Sequence, residues 1–252
     1  NGDILLSYIG LLCQGKTCYE AVQEFHEDPA YYKHALGIAY AIPSPETLRQ
    51  RMDLIGSSMR DDILQANVTM FQTLDIHPTP LENEKVPLDL DVTPFDNSKT
   101  MKEGVSRTYK GFDGYAPMMA YLGAEGYMVN TDDTVIELYH AHGESEQYHS
   151  EIKTDMDVER LPSGKFDTNE LVLELTVLAY NILRIIGQNS LKSKRAPETK
   201  RPVKRRRIRT VINNLILIAG HVTEHARRVV LSLGCSNIWR HVFLDLYRLL
   251  VA

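Results

Sequence analysis

The chain has 252 residues, 43% hydrophobic and 24% charged, with one Trp, three Cys and a formal net charge of −5. This balance excludes a disordered chain, a collagen-like repeat and a disulfide scaffold, and the length suits one large domain or two small ones. Cys13, Cys18 and Cys235 are too scattered for a disulfide framework or a metal knuckle, so reduced thiols in a cytoplasm are expected.

No apolar run approaches the roughly 18 residues that span a bilayer, so no membrane association is expected. Ile4–Cys13 lacks the basic flank and cleavage site of a signal peptide and reads as a buried helix. The chain opens on Asn1 rather than Met, as a piece of a longer protein would.

The first 80 residues read as helices. Asp3–Gln14 and Thr17–Glu27 carry apolar residues at three- and four-residue spacing, with Gly15 between them. Ser44-Pro45-Glu46-Thr47 supplies an N-cap, a Pro at the first helical position and an acid in the first turn, which predicts a helix to about Ile55. Met59–Leu74 is a further helical window. The pair around Pro43 suits either a helix-turn-helix or a plain bundle without DNA contact.

Val86–Val129 has strand character. Leu88-Asp89-Leu90-Asp91-Val92-Thr93 alternates strictly, which places Leu88, Leu90 and Val92 on a core face and Asp89, Asp91 and Thr93 on the other. Ser106–Lys110, Ala116–Leu122 and Tyr127–Val129 continue an antiparallel meander. Helix returns from Asp132 to about Asp155, capped by Thr131 or Asp132, and again over Asp167–Gly187, which is apolar nearly all round and should be buried. Thr210–Leu233 and Asn237–Val251 are the last helical windows.

Between these lies a charge run. Residues 192–209 hold ten Lys or Arg and one acid, Glu198, broken by Pro197 and Pro202, so a basic arm is attached to an acidic body. The run, with Lys204, Arg205, Arg206 and Arg207 at its centre, suits a flexible phosphate-binding tail. RNA binding and a merely solvated linker are the alternatives; the absence of interleaved aromatics argues against the first of these.

Three constellations could carry chemistry. Tyr139, His142, Glu146, His149 and Lys153 follow at spacings of three and four and share one helical face, either a working face or a solvated one. Asp89 and Asp91 repel unless a cation, a base or water separates them; alone such a pair is commonly just exposed. With a Glu on a helix, it fits the convergent carboxylates that hold two divalent ions in phosphodiester cleavage. His221-Val222-Thr223-Glu224-His225 has the spacing of an inverted zinc-protease helix, but its only downstream acid is Asp245, so surface groups are the better reading.

Leu88 to Lys99 (LDLDVTPFDNSK) and Tyr109 to Pro117 (YKGFDGYAP) resemble the first catalytic block of bacterial insertion-sequence DDE transposases, in the group usually numbered thirteen-eighty. Tyr139-x2-His142-x3-Glu146-x6-Lys153 is similar to the Tyr-x2-Arg-x3-Glu-x6-Lys signature of the broader family, and residues 143–146 and 160–166 also look like this group.

The resemblance implies an RNase H-like catalytic core that cuts and joins double-stranded DNA at terminal inverted repeats and target sites with Mg²⁺ (or Mn²⁺), with a homodimer on DNA and a nucleoid-associated place in a bacterial cytoplasm. It implies Asp91 and Glu146 as catalytic, metal-holding carboxylates and Tyr139, His142 and Lys153 as DNA contacts. Two departures stand out. The signature Arg is His142, which exchanges a permanent bidentate fork for a titrating ring. No strand carries the family's second Asp between Val129 and Thr131, as an internal deletion at Asn130–Thr131 would leave it.

The resulting expectation is an α+β chain. A helical region fills 1–80, a reduced RNase H-like core 81–187, and a basic linker with terminal helices 188–252. Its function is expected to be that of a transposase impaired in cleavage, or alternatively a DNA-binding relic or regulator.

Overall fold

The structure, a computed structural model, describes residues 1–129, 145–197, 202–225 and 228–251. Helix α1 (Gly2–Cys13) leads through a 3-10 helix (Tyr19–His26) to α2 (Pro29–Leu36), α3 (Pro45–Ile55) and α4 (Arg60–Thr73). The α3 boundary is the one the cap predicts: the Ser44 hydroxyl accepts the Thr47 N–H at 3.2 Å, and Pro45 opens the helix. Helix α2 has no counterpart among the expected elements; Asp28 caps it and Gly37, at φ 71°, ends it.

Six short strands follow: β1 (Leu88–Val92), β2 (Phe95–Asp96), β3 (Ser106–Arg107), β4 (Asp113–Tyr115), β5 (Met118–Leu122) and β6 (Tyr127–Val129). They form two antiparallel sheets, ordered β1-β5-β6 and β2-β4-β3. The periodicity finds β1, β5 and β6 but misses β2 and β4, because strands of two or three residues leave no period to read. Gly114 makes the second sheet: a Cβ there would stand 1.9 Å from the Phe95 carbonyl oxygen.

Helix α5 (Ser145–Ser150) widens into a π-turn (Glu151–Asp155), and α6 (Phe166–Lys192) runs through the middle of the molecule. A short α7 (Ile208–Val211) with a π-turn (Ile212–Ile216) precedes a hairpin, β7 (Gly220–His225) and β8 (Arg228–Leu233), and α8 (Arg240–Val251) closes the chain.

Two expectations, the last long helix and the core face of the meander, are corrected. The Thr210–Leu233 helix stops at Ile216, because the β-branched and apolar run beyond Gly220 pairs with itself as a hairpin. Packing is continuous across residue 80: α1, α3 and α4 pack on α6, and one apolar cluster joins Tyr8, Leu48, Ile63, Met119, Leu175 and Val211. The meander has no single core face. Met119 and Tyr121, directly opposite Asp91 and Asp89, share the acids' face and belong to that cluster, whereas buried Leu90 and Ala120 on the other face do not.

The mixed architecture is α+β, as expected. Tyr139, His142, the Thr131 cap and the junction at Asn130–Thr131 lie outside the described residues.

Candidate metal and DNA site

Asp91 sits in β1 beside the last turn of α5. The imidazole Nδ1 of His149, on α5, lies 3.6 Å from the Asp91 carboxylate Oδ2, and the other oxygen accepts the Val92 N–H at 2.7 Å. The Asp91 side chain is 34% exposed and that of His149 12%, so the pair borders solvent without being fully in it. Glu146 occupies the position one turn before His149 on the same helix; its side chain lies outside the described set.

Stacked rings hold α5 against the sheet. Tyr121 stacks on Tyr148 with centroids 4.6 Å apart, and Tyr180 closes on Tyr121 at 6.2 Å. Gly126, at φ 67°, permits this approach, since a Cβ there would stand 2.2 Å from the Tyr148 ring. Burial drives the Tyr121 hydroxyl well above its ordinary pKa, with Tyr180, Glu151 and Asp89 adding to the rise, so it stays neutral beside the acids.

Lys153, an expected DNA contact, is already engaged: its ammonium donates to the Pro94 carbonyl at 2.6 Å and pairs with Glu159 at 2.9 Å. With 24% of its side chain exposed, it ties the π-turn after α5 to the end of β1.

The basic segment departs further from the expected free arm. Glu151 is fully buried and receives Arg184 Nη2 at 2.5 Å, Arg205 Nη1 at 2.7 Å and the Ile208 N–H at 3.2 Å. The Arg205 guanidinium also lies 4.2 Å from the centre of the Tyr148 ring. Arg206 is buried, donating to Ser190 Oγ at 2.7 Å, and burial lowers its pKa. Asp155 collects Arg207 at 2.8 Å and Arg209 at 3.1 Å, and the bond to Asp155 raises the Arg207 pKa. Of the four expected contacts, Lys204 is exposed and forms no ion pair among the described residues, while Arg205, Arg206 and Arg207 are spent on the body of the protein.

The physical reason is local. Two buried carboxylates one turn apart on the signature helix demand cations, and the nearest run of arginines supplies them. Glu151 and Asp155 fall outside the Tyr139–Lys153 stripe, so its spacing does not single them out. Their spacing of four, set against a downstream Arg run, was the available signal.

Three further candidates carry less. The connection from α2 to α3 covers residues 37–44, longer than the roughly 3–4-residue turn of a helix-turn-helix, and on α3 Arg49 is paired with Glu46. His221 and His225 fall on strand β7, not on a helix; positions four apart on a strand stand about 13 Å from each other, too far to share one zinc ion. A cavity of about 340 Å³ beside β4, β5 and α6 is lined by Met118, Met119, Phe166 and an Arg60–Glu170 pair, away from the acids' helix.

For a divalent cation the donor chemistry is compatible but sparse. Asp91 is a half-exposed oxygen donor next to the helix that carries Glu146, which fits a hard ion that keeps several of its waters. Among the described residues no three His, Cys, Asp or Glu side chains gather as a complete ligand set. Among the same residues no helix is long and apolar enough to cross a membrane.

Residues 128–251 match the family model described as transposase DDE domain group 1. That match supports a DDE transposase family, and it takes in Glu146, Lys153 and the basic segment but begins beyond β1, so Asp91 is outside it. No curated protein matches the chain, and no solved structure does.

Proposed function

We propose that this chain is a DDE transposase of the insertion-sequence type, with a reduced RNase H-like core, that binds double-stranded DNA at the ends of its element and is impaired in cutting it. Asp91 and Glu146 are the carboxylates that would hold Mg²⁺ or Mn²⁺, which supplies the charge stabilisation at the attacking and leaving oxygens. The observation that carries this reading is the docking of α5 on β1, with His149 3.6 Å from Asp91 and Glu146 one turn earlier.

The impairment follows from the donor count. The sequence motifs leave no place for a second catalytic Asp between Val129 and Thr131, so a two-metal site would lack an anionic ligand and metal binding would weaken accordingly. The thirteen-eighty group and the junction at Asn130–Thr131 rest on the sequence motifs, and a homodimer on DNA rests on the family resemblance.

The test uses a supercoiled plasmid carrying the DNA that flanks the coding sequence. The purified chain is expected to bind it with strong salt dependence. With Mg²⁺ or Mn²⁺, nicking is expected to stay near the background of the Asp91→Asn protein. Nicking well above that background, abolished by Glu146→Ala, would overturn the impairment and leave an active transposase. Absence of DNA binding at low salt would overturn the reading itself. The relic reading, a protein that occupies element ends without any cleavage, is favoured by the same shortage of carboxylates, and it differs in showing no metal-dependent product even at high enzyme.

A further inference from the structure

We propose that His149 is a metal ligand, so that the site is a mixed nitrogen–oxygen one that selects Mn²⁺ over Mg²⁺. The inference rests on the reading of Asp91 and Glu146 as metal-holding residues and adds a third group from this chain.

Glu146 and His149 stand three apart along the sequence of α5, the Glu-x-x-His spacing found in carboxylate–imidazole metal motifs. The strand side of the site supplies Asp91, whose Oδ2 is 3.6 Å from His149 Nδ1. Two ligands each about 2.1 Å from a shared cation stand roughly 3.0–3.4 Å apart, so a small side-chain adjustment admits the ion between them. The imidazole is also held in place: its ring centre is 5.8 Å from that of Tyr121, whose own ring stacks on Tyr148. Lys153, the nearest cation along the helix, is turned away to Pro94 and Glu159 and does not compete for the position.

The choice of metal follows from the ligand. Mg²⁺ is hard, prefers oxygen and dehydrates reluctantly, whereas Mn²⁺ and later divalent ions accept imidazole readily. A site provided with an imidazole therefore favours Mn²⁺ over Mg²⁺.

Direct titration tests this without reference to activity. Mn²⁺ binding is read from the loss of its free-ion electron paramagnetic resonance signal, Mg²⁺ by competition, and the nitrogen ligand by its hyperfine coupling to bound Mn²⁺. The unmodified chain is expected to bind Mn²⁺ at least tenfold more tightly than Mg²⁺ and to show the nitrogen coupling. His149→Phe should lose the coupling and tenfold or more in Mn²⁺ affinity while Mg²⁺ affinity is unchanged, and Asp91→Asn should lose both ions. His149→Gln, with an unchanged thermal midpoint, serves if the Phe variant does not fold. If the His149 variants keep the Mn²⁺ preference and the coupling while Asp91→Asn loses both ions, the inference fails and the carboxylate site stands. If Asp91→Asn binds both ions as before, the carboxylate site itself fails, and this inference with it.

Discussion

Glu151 shows how one side chain can organise a region. Its carboxylate is wholly buried and accepts from Arg184 and Arg205, and it takes the Ile208 N–H as well. Removing it strands two guanidiniums in a low-dielectric interior, which costs about 3–5 kcal/mol for a broken buried pair. Glu151→Ala is therefore expected to lower the urea midpoint strongly, and a shift corresponding to less than about 1 kcal/mol would contradict the buried-pair account. Asp3 acts at the surface by the same chemistry. Its carboxylate accepts the N–H groups of Ala39, Tyr40 and Ala41 at 2.9, 2.9 and 3.2 Å, and the first two bonds hold its pKa below the ordinary 3.8. Because the folded-state value is depressed, this stabilisation is present above pH 3.8 and is lost as the pH falls through the folded value. Asp3→Asn should flatten the acid limb of the stability–pH curve in urea titrations.

At the scale of elements, the sequence spoke clearly wherever a local rule was satisfied by local atoms. Ser44 and Pro45 define the start of α3 with groups inside their own turn, and Ser44→Ala should destabilise by about 1 kcal/mol through loss of the Thr47 N–H partner. The thermal midpoint reads this directly. Leu88 to Val92 likewise forms the strand its alternation predicts, but alternation could not say what lies on each side. The β7–β8 hairpin was illegible for the converse reason. Its residues suit helix and strand alike, and cross-strand pairing of Thr223 with Val230 and Val222 with Leu231 decided between them. Strands β2 and β4 depend on Gly114, whose lack of a side chain leaves room for the Phe95 carbonyl oxygen. Gly114→Ala should loosen this sheet, which hydrogen exchange at Tyr115 and Asn97 would reveal as faster opening than at Ala120 in β5.

For the whole molecule, α6 is the axis on which the N-terminal helices, β6 and the C-terminal elements meet. Asn181, fully buried in that helix, receives the Met128 N–H at 2.8 Å and returns a bond to the Met128 carbonyl at 2.7 Å, so the sheet edge is tied to the axis. The basic segment is divided by this assembly. Arg205 and Arg206 have become structural, whereas Lys204 remains exposed. Lys204→Ala should therefore weaken DNA binding and reduce the salt slope by about one unit without moving the thermal midpoint. Arg205→Ala should lower the midpoint by several degrees, since it uncouples buried Glu151. Equal effects of the two variants on the midpoint would show that the segment is not docked as described.

The sequence by itself determined the helical start and the capped α3, the acid-bearing β1 and the long buried α6, because each is written in caps and periodicities that act within a few residues. It also determined the signature spacing from which Glu146 and its transposase family resemblance are read. Only the tertiary structure decided that α5 docks on β1, bringing His149 to Asp91, and that Glu151 and Asp155 capture the arginines of the basic run. Those contacts join groups more than fifty residues apart, and which carboxylate is buried, and so must find a cation, is fixed by packing rather than by any local pattern.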